Sequence, residues 1–346
     1  MKPRRLSFLP SIFVFSLAIA ATQTATATDW YWDADGDTTA TTGGTGAWAP
    51  ASSQWRSGSA TGTLSTYTAG PQADTAANLV LAGADGATMT ATASTTYNLN
   101  KVTSTNSYTL ATNTAIAGFV GTTPTIDVAS GKTLTWAIDL SAASATVAKT
   151  SAGILTFNNT GGQIVSNSTT LDIQAGTFRY DTALATSSLF TGTGGIVKVG
   201  SGATLSIQQT QSSGYVAVRD WTLGTKVILN GGTFTGGSTN GGQFQRVPSG
   251  TAIQVDAAST ISQGSGNFSQ NFTFDGAFTG YRSPDAGTRC FECPLPGVER
   301  LHVRVFRQRH GRYFHRHRLR VVRKLDRLGH RHAEPHRRGF QRGARR

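Results

Sequence analysis

A glycine followed by a short strand-like run recurs along the middle of the chain. The five clearest glycines, separated by 22, 23, 26 and 30 residues, are Gly131, Gly153, Gly176, Gly202 and Gly232. A drifting period in the twenties is typical of a β-solenoid, in which each coil lays its strands onto those of the coil before. Glycine suits the tight corners of such a coil because it adopts positive φ at little cost. The spacing therefore predicts a stack of short parallel strands.

The runs that follow these glycines have the pattern of strands with one buried face. Apolar residues occupy every second position, or nearly so, at 133–136, 154–157 and 204–207, as on a pleated surface. Residues 226–229 are continuously apolar after the lysine, which indicates a strand buried on both faces. The residues predicted to point into the core are Leu134, Leu155, Ile173, Leu205 and Leu229. The alternative fold is a β-sandwich, with turns about every 8 to 12 residues.

The first residues have the features of a secretory signal peptide. Three basic residues between positions 2 and 5 precede an apolar stretch over 6–21, and the small-residue segment 25–27 follows, as at a cleavage site. Pro10 interrupts the stretch, which is shorter than the ~20 apolar residues of a membrane anchor. We therefore predict that residues 1–27 are a signal peptide. Its removal would leave a secreted or cell-surface protein without a membrane span.

The composition changes near Gly280. Residues 1–280 contain 12 Lys+Arg and 13 Asp+Glu, whereas residues 281–346 contain 19 Lys+Arg, 5 Asp+Glu, all seven His and both Cys. A body without cysteine cannot use disulfides outside the cell, so a large continuous core must supply its stability. A segment as basic as the tail buries too little apolar surface to offset the entropy of ordering it. We therefore predict that residues 281–346 are disordered.

The basic tail has two functional interpretations, phosphate binding and zinc binding, and neither is well supported by the rest of the sequence. Arginines between 316 and 323 could hold phosphates, and Cys290 and Cys293 with His302 and His310 could hold zinc. However, an exported protein has no evident nucleic-acid partner, and a single C-x-x-C pair is a weak metal signal. Off-frame translation explains the composition better, because a Gly/Ala/Thr-rich coding sequence with C at third codon positions encodes arginine and histidine when read one base early. We predict a frameshift near this point and no nucleic acid in the native function.

One segment resembles the autotransporter-associated β-strand repeat, whose pattern runs roughly L-T-K-x-G-x-G-T-L and closes with a strand ending in x-G-T-L. Residues 147–178 follow this pattern, with Lys149, Gly153 and Gly176 at its lysine and two of its glycines. Ser151 stands where the pattern prefers glycine. The turn between the two strands of the repeat is not reproduced.

A second copy of the repeat runs over residues 196–234, and the aromatic and glycine-rich segment 31–55 resembles the opening of passengers in this family. The resemblance implies a right-handed parallel β-helix that is carried outside the cell. On this basis, residues 28–115 would be the N-terminal β segment of the passenger and residues 116–280 its solenoid repeats.

No constellation of catalytic residues is evident in the body. Enzymes on β-helices need clustered carboxylates or basic groups with shifted pKa values, but the first 280 residues contain no His and no Glu. Arg219 and Asp220 are adjacent, and neighbouring residues of a strand face opposite ways. Asp33, Asp35 and Asp37 resemble part of a calcium loop that lacks its glycine and closing glutamate, so we expect a solvated loop. We predict no catalytic, cofactor-binding or metal-binding residues.

Three functions remain open after these exclusions. The prediction is an exported, non-catalytic structural or adhesive solenoid, with an extracellular glycan or a cell surface as its candidate partner. The alternatives are a glycan-binding solenoid, which exposed acidic and aromatic arrays would favour, and a degenerate carbohydrate-active β-helix enzyme. Thr88, Thr90 and Thr92 could form a threonine ladder, which in some solenoids binds ice or sugar, but such rows are commonly strand formers that face water.

Overall fold

A computed structural model describes most of the body and two short segments of the tail. The described residues are 27–37, 42–72, 77–92, 96–111, 116–119, 124–142, 146–158, 164–165, 168–182, 186–192, 194–209, 218–238, 244–263, 272–280, 302–304 and 320–322. Every regular element in these ranges is a β-strand. The signal peptide prediction and most of the predicted disordered tail lie outside the described residues and stay predictions.

The strands are short, mostly of three to six residues. In chain order they are β1 (Asp29–Trp32), β2 (Gly46–Trp48), β3 (Ser53–Ser57), β4 (Leu64–Thr66), β5 (Asn78–Leu81), β6 (Ala87–Ala91), β7 (Thr96–Leu99), β8 (Lys101–Ser104), β9 (Tyr108–Ala111), β10 (Ile116–Phe119), β11 (Thr125–Val128), β12 (Thr133–Trp136), β13 (Asp139–Ala142), β14 (Thr146–Thr150) and β15 (Ile154–Asn158). They continue with β16 (Thr170–Ile173), β17 (Thr177–Thr182), β18 (Thr186–Ser188), β19 (Ile196–Val199), β20 (Thr204–Gln209), β21 (Val218–Thr222), β22 (Lys226–Asn230), β23 (Thr233–Ser238), β24 (Phe244–Val247), β25 (Ala252–Ala257), β26 (Thr260–Gln263), β27 (Phe272–Phe274), β28 (Phe278–Gly280), β29 (His302–Arg304) and β30 (Arg320–Val322).

Two long sheets and a third face run along the molecule. Sheet 1 has the order β28-β25-β22-β19-β16-β14-β11-β8-β5-β1-β3-β4, and sheet 2 has the order β2-β6-β9-β12-β15-β17-β20-β23-β26. The third face combines the sheets β13-β10-β7 and β18-β21-β24-β27. Isolated parallel bridges through Ile164, to Leu140 and to Phe190, connect these two sheets.

The chain visits the three faces in turn and then repeats the circuit one level further on. Strands β8, β9 and β10 form one coil, and β11, β12 and β13 pair with them in parallel to form the next. Partners on sheet 1 are 23 residues apart at Leu79 and Val102 and 30 apart at Val197 and Val227. This confirms the all-β solenoid with a period in the twenties, and the β-sandwich alternative is wrong because the coils pair in parallel.

The interior of the coils is a continuous apolar core. All five residues predicted to point inward, namely Leu134, Leu155, Ile173, Leu205 and Leu229, are fully buried. The register stacks like residues above one another, since Leu134 lies beside Leu155, and Trp136 lies beside Phe157 with ring centroids 6.2 Å apart. Such stacking on consecutive strands removes each side chain from water on all sides, which stabilises every coil through its neighbours.

The corners between sheets 1 and 2 use glycine in two ways. Gly131 and Gly176 have φ values of 73° and 64°, which only glycine adopts readily. Gly153 does not have a positive φ; a Cβ added to it would lie 2.3 Å from the carbonyl oxygen of Ala129. In that corner the left-handed conformation falls on Ser151, at φ 59°. The glycine predicted to turn the corner therefore serves close approach, and a serine makes the turn.

An antiparallel pair of strands covers the N-terminal end of the stack. β3 pairs antiparallel with both β1 and β4, at the end of sheet 1. The aromatic residues packed together at this end, all fully or almost fully buried, are Trp32, Trp48, Trp55, Tyr67 and Tyr97. A terminal coil without such a cover would expose its apolar interior. The segment that resembles a passenger opening is thus the cap of the solenoid.

The tail was predicted to be disordered, but it has two described strands, and β29 lies against β27 of the body. β29 and β30 pair antiparallel, with Val303 opposite Val321. The cysteines and the histidine at 310 lie outside the described residues, so neither the zinc interpretation nor the frameshift is tested.

Candidate functional site

A groove of about 310 Å³ crosses the outward face of sheet 1 between β16 and β25. It is lined by Asp172, Lys198, Val199, Gly200, Ile228, Asn230 and Asp256. The register explains how they meet: Asp172 is the partner of Lys198, and Lys198 is the partner of Ile228. Three residues from three coils thus form one row across the strands. Concave sites of about this volume are the usual places for small ligands.

One of the lining residues, Gly200, has no side chain. Gly200 follows β19, and its N–H donates a hydrogen bond to the carbonyl oxygen of Ile173 at 2.8 Å. Because Val199 is the partner of Leu229, Gly200 lies level with Asn230 on the neighbouring coil.

Two carboxylates stand at opposite ends of the groove, each held by a glutamine. Asp172 Oδ2 accepts a hydrogen bond from Gln174 Nε2 at 2.9 Å, and Asp256 Oδ1 accepts one from Gln254 Nε2 at 2.7 Å. The Lys198 ammonium lies between them and makes no hydrogen bond or ion pair with any described residue. The groove therefore offers oriented acceptors, a cationic donor and, at Ile228, an apolar surface. Because Ile228 is only half-buried on this face, the prediction that β22 is buried on both faces is wrong.

Cross-coil ion pairs account for the charges on the third face. Arg246 donates from Nε and Nη2 to the two carboxylate oxygens of Asp220, each at 2.6 Å, and its Nη1 lies 3.7 Å from Asp275. Arg219 is only 1% exposed, so it and Asp220 point to opposite sides of β21, as predicted. A bidentate pair of this kind fixes one coil against the next.

Of the three aspartates near the N-terminus, Asp35 and Asp37 are exposed, as expected of a solvated loop, but Asp33 is not. Asp33 is fully buried, and its Oδ2 accepts a hydrogen bond from Arg56 Nε at 2.5 Å. Arg56 Nη2 also donates to the carbonyl oxygen of Asp37 at 2.6 Å. Desolvation raises the pKa of Asp33, while Asp35 stays exposed. Within the described ranges, no group of three His, Cys, Asp or Glu residues is placed to hold a metal ion.

Lys149, singled out by sequence as a motif residue, has a buried structural position. Its side chain is fully buried, and Nζ donates to the carbonyl oxygens of Thr150, Ser151, Gly153 and Ala175 at 2.5–2.9 Å. Burial lowers the pKa of its ammonium to about 8. The lysine therefore binds the corner of its own coil to the corner of the next.

A single carboxylate with an unusual environment lies on β17. Asp181 is 7% exposed, and the nearest cation is the Arg179 guanidinium at 3.9 Å. Burial raises the pKa of Asp181 to about 6. Glycoside hydrolysis needs a pair of carboxyl groups flanking the bond, and the described residues place no second carboxylate in an ion pair or hydrogen bond with this one.

Of the predicted threonine row, only Thr88 continues across several coils, because Thr90 is the partner of Ala111 and Thr92 lies after the end of β6. Thr88 is the partner of Thr109, and Thr135 joins Thr109 to Thr156 on sheet 2. The next partner in the row is Arg179. Its long charged side chain breaks the run of hydroxyls, so we interpret these threonines as strand formers.

The comparisons with known proteins leave the family open. No family model, no curated protein and no solved structure matches the chain. Among the described residues, no helix is long and apolar enough to cross a membrane. The likeness to autotransporter repeats therefore rests on the motifs at 147–178 and 196–234 and on the solenoid fold that is compatible with them.

Proposed function

We propose that this chain is an exported, non-catalytic β-solenoid that serves as a structural or adhesive element at the cell surface. The observation that carries the proposal is the unbroken parallel stacking from β5 to β28 around one apolar core. Sheet 1 contains twelve strands, of which β3 and β4 are antiparallel, and the other ten span about 43 Å at about 4.8 Å per strand. Such a body is a rigid rod.

The alternative function, that of a degenerate carbohydrate-active enzyme, requires clustered carboxylates. Asp33 and Asp220 are engaged by arginines, and Asp85 is engaged by Lys132 at 2.7 Å. These three carboxylates are used in ion pairs. Burial raises the pKa of Asp181 to about 6, but the described residues place no second carboxylate in an ion pair or hydrogen bond with it, whereas glycoside hydrolysis needs two. This distribution supports a non-catalytic role.

Glycan binding is the second candidate, and the groove on sheet 1 favours it. An aromatic stacking platform does not contribute, since the large aromatic residues Trp32, Trp48, Trp55, Trp136 and Trp221 are buried. Any sugar recognition by the described residues would therefore depend on hydrogen bonds in the groove.

The export part of the proposal is tested by producing the full chain in a bacterial host and sequencing the N-terminus of the product. We expect a mature protein that begins at Thr28 and is digested by protease added to intact cells. A product that starts at Met1 and is protected inside the cell would overturn the proposal.

The adhesive part is tested with the same purified protein on host-cell or matrix-coated surfaces. We expect retention above that of a Leu155→Asp variant, in which a charge in the core disrupts the coil. Equal retention of the folded and the disrupted protein would leave only the structural role.

A further inference from the structure

We propose that the groove between Asp172 and Asp256 binds a neutral saccharide chain. This inference rests on the adhesive part of the proposed function and names its ligand class. It is carried by three observations on the same surface: a concavity of about 310 Å³, polar atoms that make no hydrogen bond with any described residue, and an apolar residue in the same row as a charged one.

The groove is elongated across the strands of sheet 1. Asp172, Lys198 and Ile228 are partners on consecutive strands, and Ile228 is the partner of Gln254 on β25. Three inter-strand spacings make the row about 14 Å long. An extended ligand would therefore lie across the strands, parallel to the axis of the solenoid, and contact four coils.

The groove offers both hydrogen-bond donors and hydrogen-bond acceptors. Asp172 Oδ1 and Asp256 Oδ2 accept no hydrogen bond from the described residues, because each glutamine binds only the other oxygen. An ionised carboxylate only accepts, an ammonium only donates, and an asparagine amide does both. Together with Lys198 and Asn230, these groups match sugar hydroxyls, which donate and accept, while Ile228 contacts the apolar C–H face of a ring.

The charge, the spacing and the small apolar area of the groove exclude other ligand classes. Two carboxylates and one ammonium line the groove, and the Lys226 ammonium lies next to it, 3.1 Å from Gln254 Oε1. The groove has no excess of positive charge, which disfavours nucleic acid and other polyanions. Asp172 and Asp256 lie on strands separated by three spacings, about 14 Å, too far apart to share a cation that needs oxygen ligands at about 2.3–2.6 Å. Of the two apolar lining residues, Val199 is fully buried, and Ile228 by itself provides too little area for a hydrophobic ligand. An uncharged, hydroxyl-rich chain satisfies the remaining groups.

The test is direct binding of defined hexasaccharides to the purified full chain. Cellohexaose, maltohexaose, xylohexaose and chitohexaose are titrated by calorimetry, and the two groove variants are Lys198→Met and Asn230→Ala. We expect at least one hexasaccharide to bind the wild-type protein. Each variant removes one hydrogen-bonding group from an outward position, so the affinity for that hexasaccharide should fall about tenfold in each variant.

The matched control is Lys101→Met. Lys101 lies on β8 in the same sheet, outside the groove, and pairs with Asp127 at 3.7 Å, so its substitution should leave saccharide affinity unchanged. Circular dichroism melting of all variants checks that they are folded.

Absence of binding by all four hexasaccharides at millimolar concentration overturns the inference, as does equal loss in Lys101→Met and Lys198→Met. Either result, obtained with a protein that is exported and folded, leaves the structural role of the solenoid standing. Failure of export with intact saccharide binding would overturn the proposed function instead.

Discussion

Lys149 Nζ donates a hydrogen bond to the carbonyl oxygen of Ala175 at 2.9 Å, across 26 residues of chain. The two residues belong to successive coils, and the same ammonium is bound by carbonyls of its own corner. A cation buried in this way is acceptable because backbone dipoles replace its hydration. The repeat lysine is thus a link between coils.

We expect Lys149→Met to lower the free energy of unfolding by about 1–3 kcal/mol, because several buried carbonyls lose their donor while the aliphatic packing is kept. Urea unfolding followed by circular dichroism measures the change. Lys132→Met is the control, since its ion pair with Asp85 is on the surface and should contribute less than about 1 kcal/mol. Equal stability of the two variants would show that the cross-coil bonds contribute nothing measurable.

Asp181 should make stability fall as pH rises through the acid range. Burial raises its pKa in the folded state to about 6 from an ordinary value of 3.8, so the folded chain binds more protons between these pH values. Stability contributed by this group is therefore complete below about pH 3.8 and is lost as pH rises to about 6.

Asp181→Asn should remove this dependence. We expect the variant to be more stable than the wild type at pH 7, by about 1–3 kcal/mol, and the difference to shrink at pH 4. Thermal melts of both proteins at the two pH values provide the measurement. A difference that is the same at pH 4 and pH 7 would contradict the assignment to the buried carboxylate.

Ser151→Gly should stabilise the protein by about 0.5–1 kcal/mol. Ser151 has a φ of 59°, which is strained for a residue with a side chain, and this strain exceeds the entropic cost of glycine. The opposite substitution, Gly131→Ser, places a side chain at φ 73° with open space around its Cβ and should destabilise by about 1 kcal/mol. Melting temperatures that move in the same direction for both variants would contradict the prediction.

Removing residues 281–346 should leave the melting temperature of the body unchanged, since a segment of this composition contributes little buried apolar surface. The full chain and a chain that ends at Gly280 are compared by calorimetry and limited proteolysis. A lower melting temperature after the deletion, or a protease-resistant tail, would show that the tail packs on the body.

Much of the fold could be predicted from local patterns. Alternation at 133–136 and 204–207 identified strands with Leu134 and Leu205 inward, because a strand has a period of two wherever one face is buried. The glycine spacing indicated the length of a coil, because every coil must turn the same corners. Both properties are visible in the order of residues alone.

The environments of the charged residues depended on contacts between coils. Asp33 was expected in solvent, but Arg56 lies beside it because β3 folds back antiparallel on β1. The burial of Lys149 became apparent only when the carbonyl of the next coil stood beside its ammonium. These pairs are 23 and 26 residues apart, and no local pattern specifies which polar groups such distant segments bring together.

The groove on sheet 1 also depends on contacts between coils that no local sequence pattern specifies. Asp172, Gly200 and Asp256 carry no signal singly, and their spacings in sequence reflect only one, two or three coil lengths. The local period of the sequence determines that strands stack, because hydrophobic burial requires it. The register between coils, set by the whole core, determines which outward side chains become neighbours, and hence where a ligand could bind.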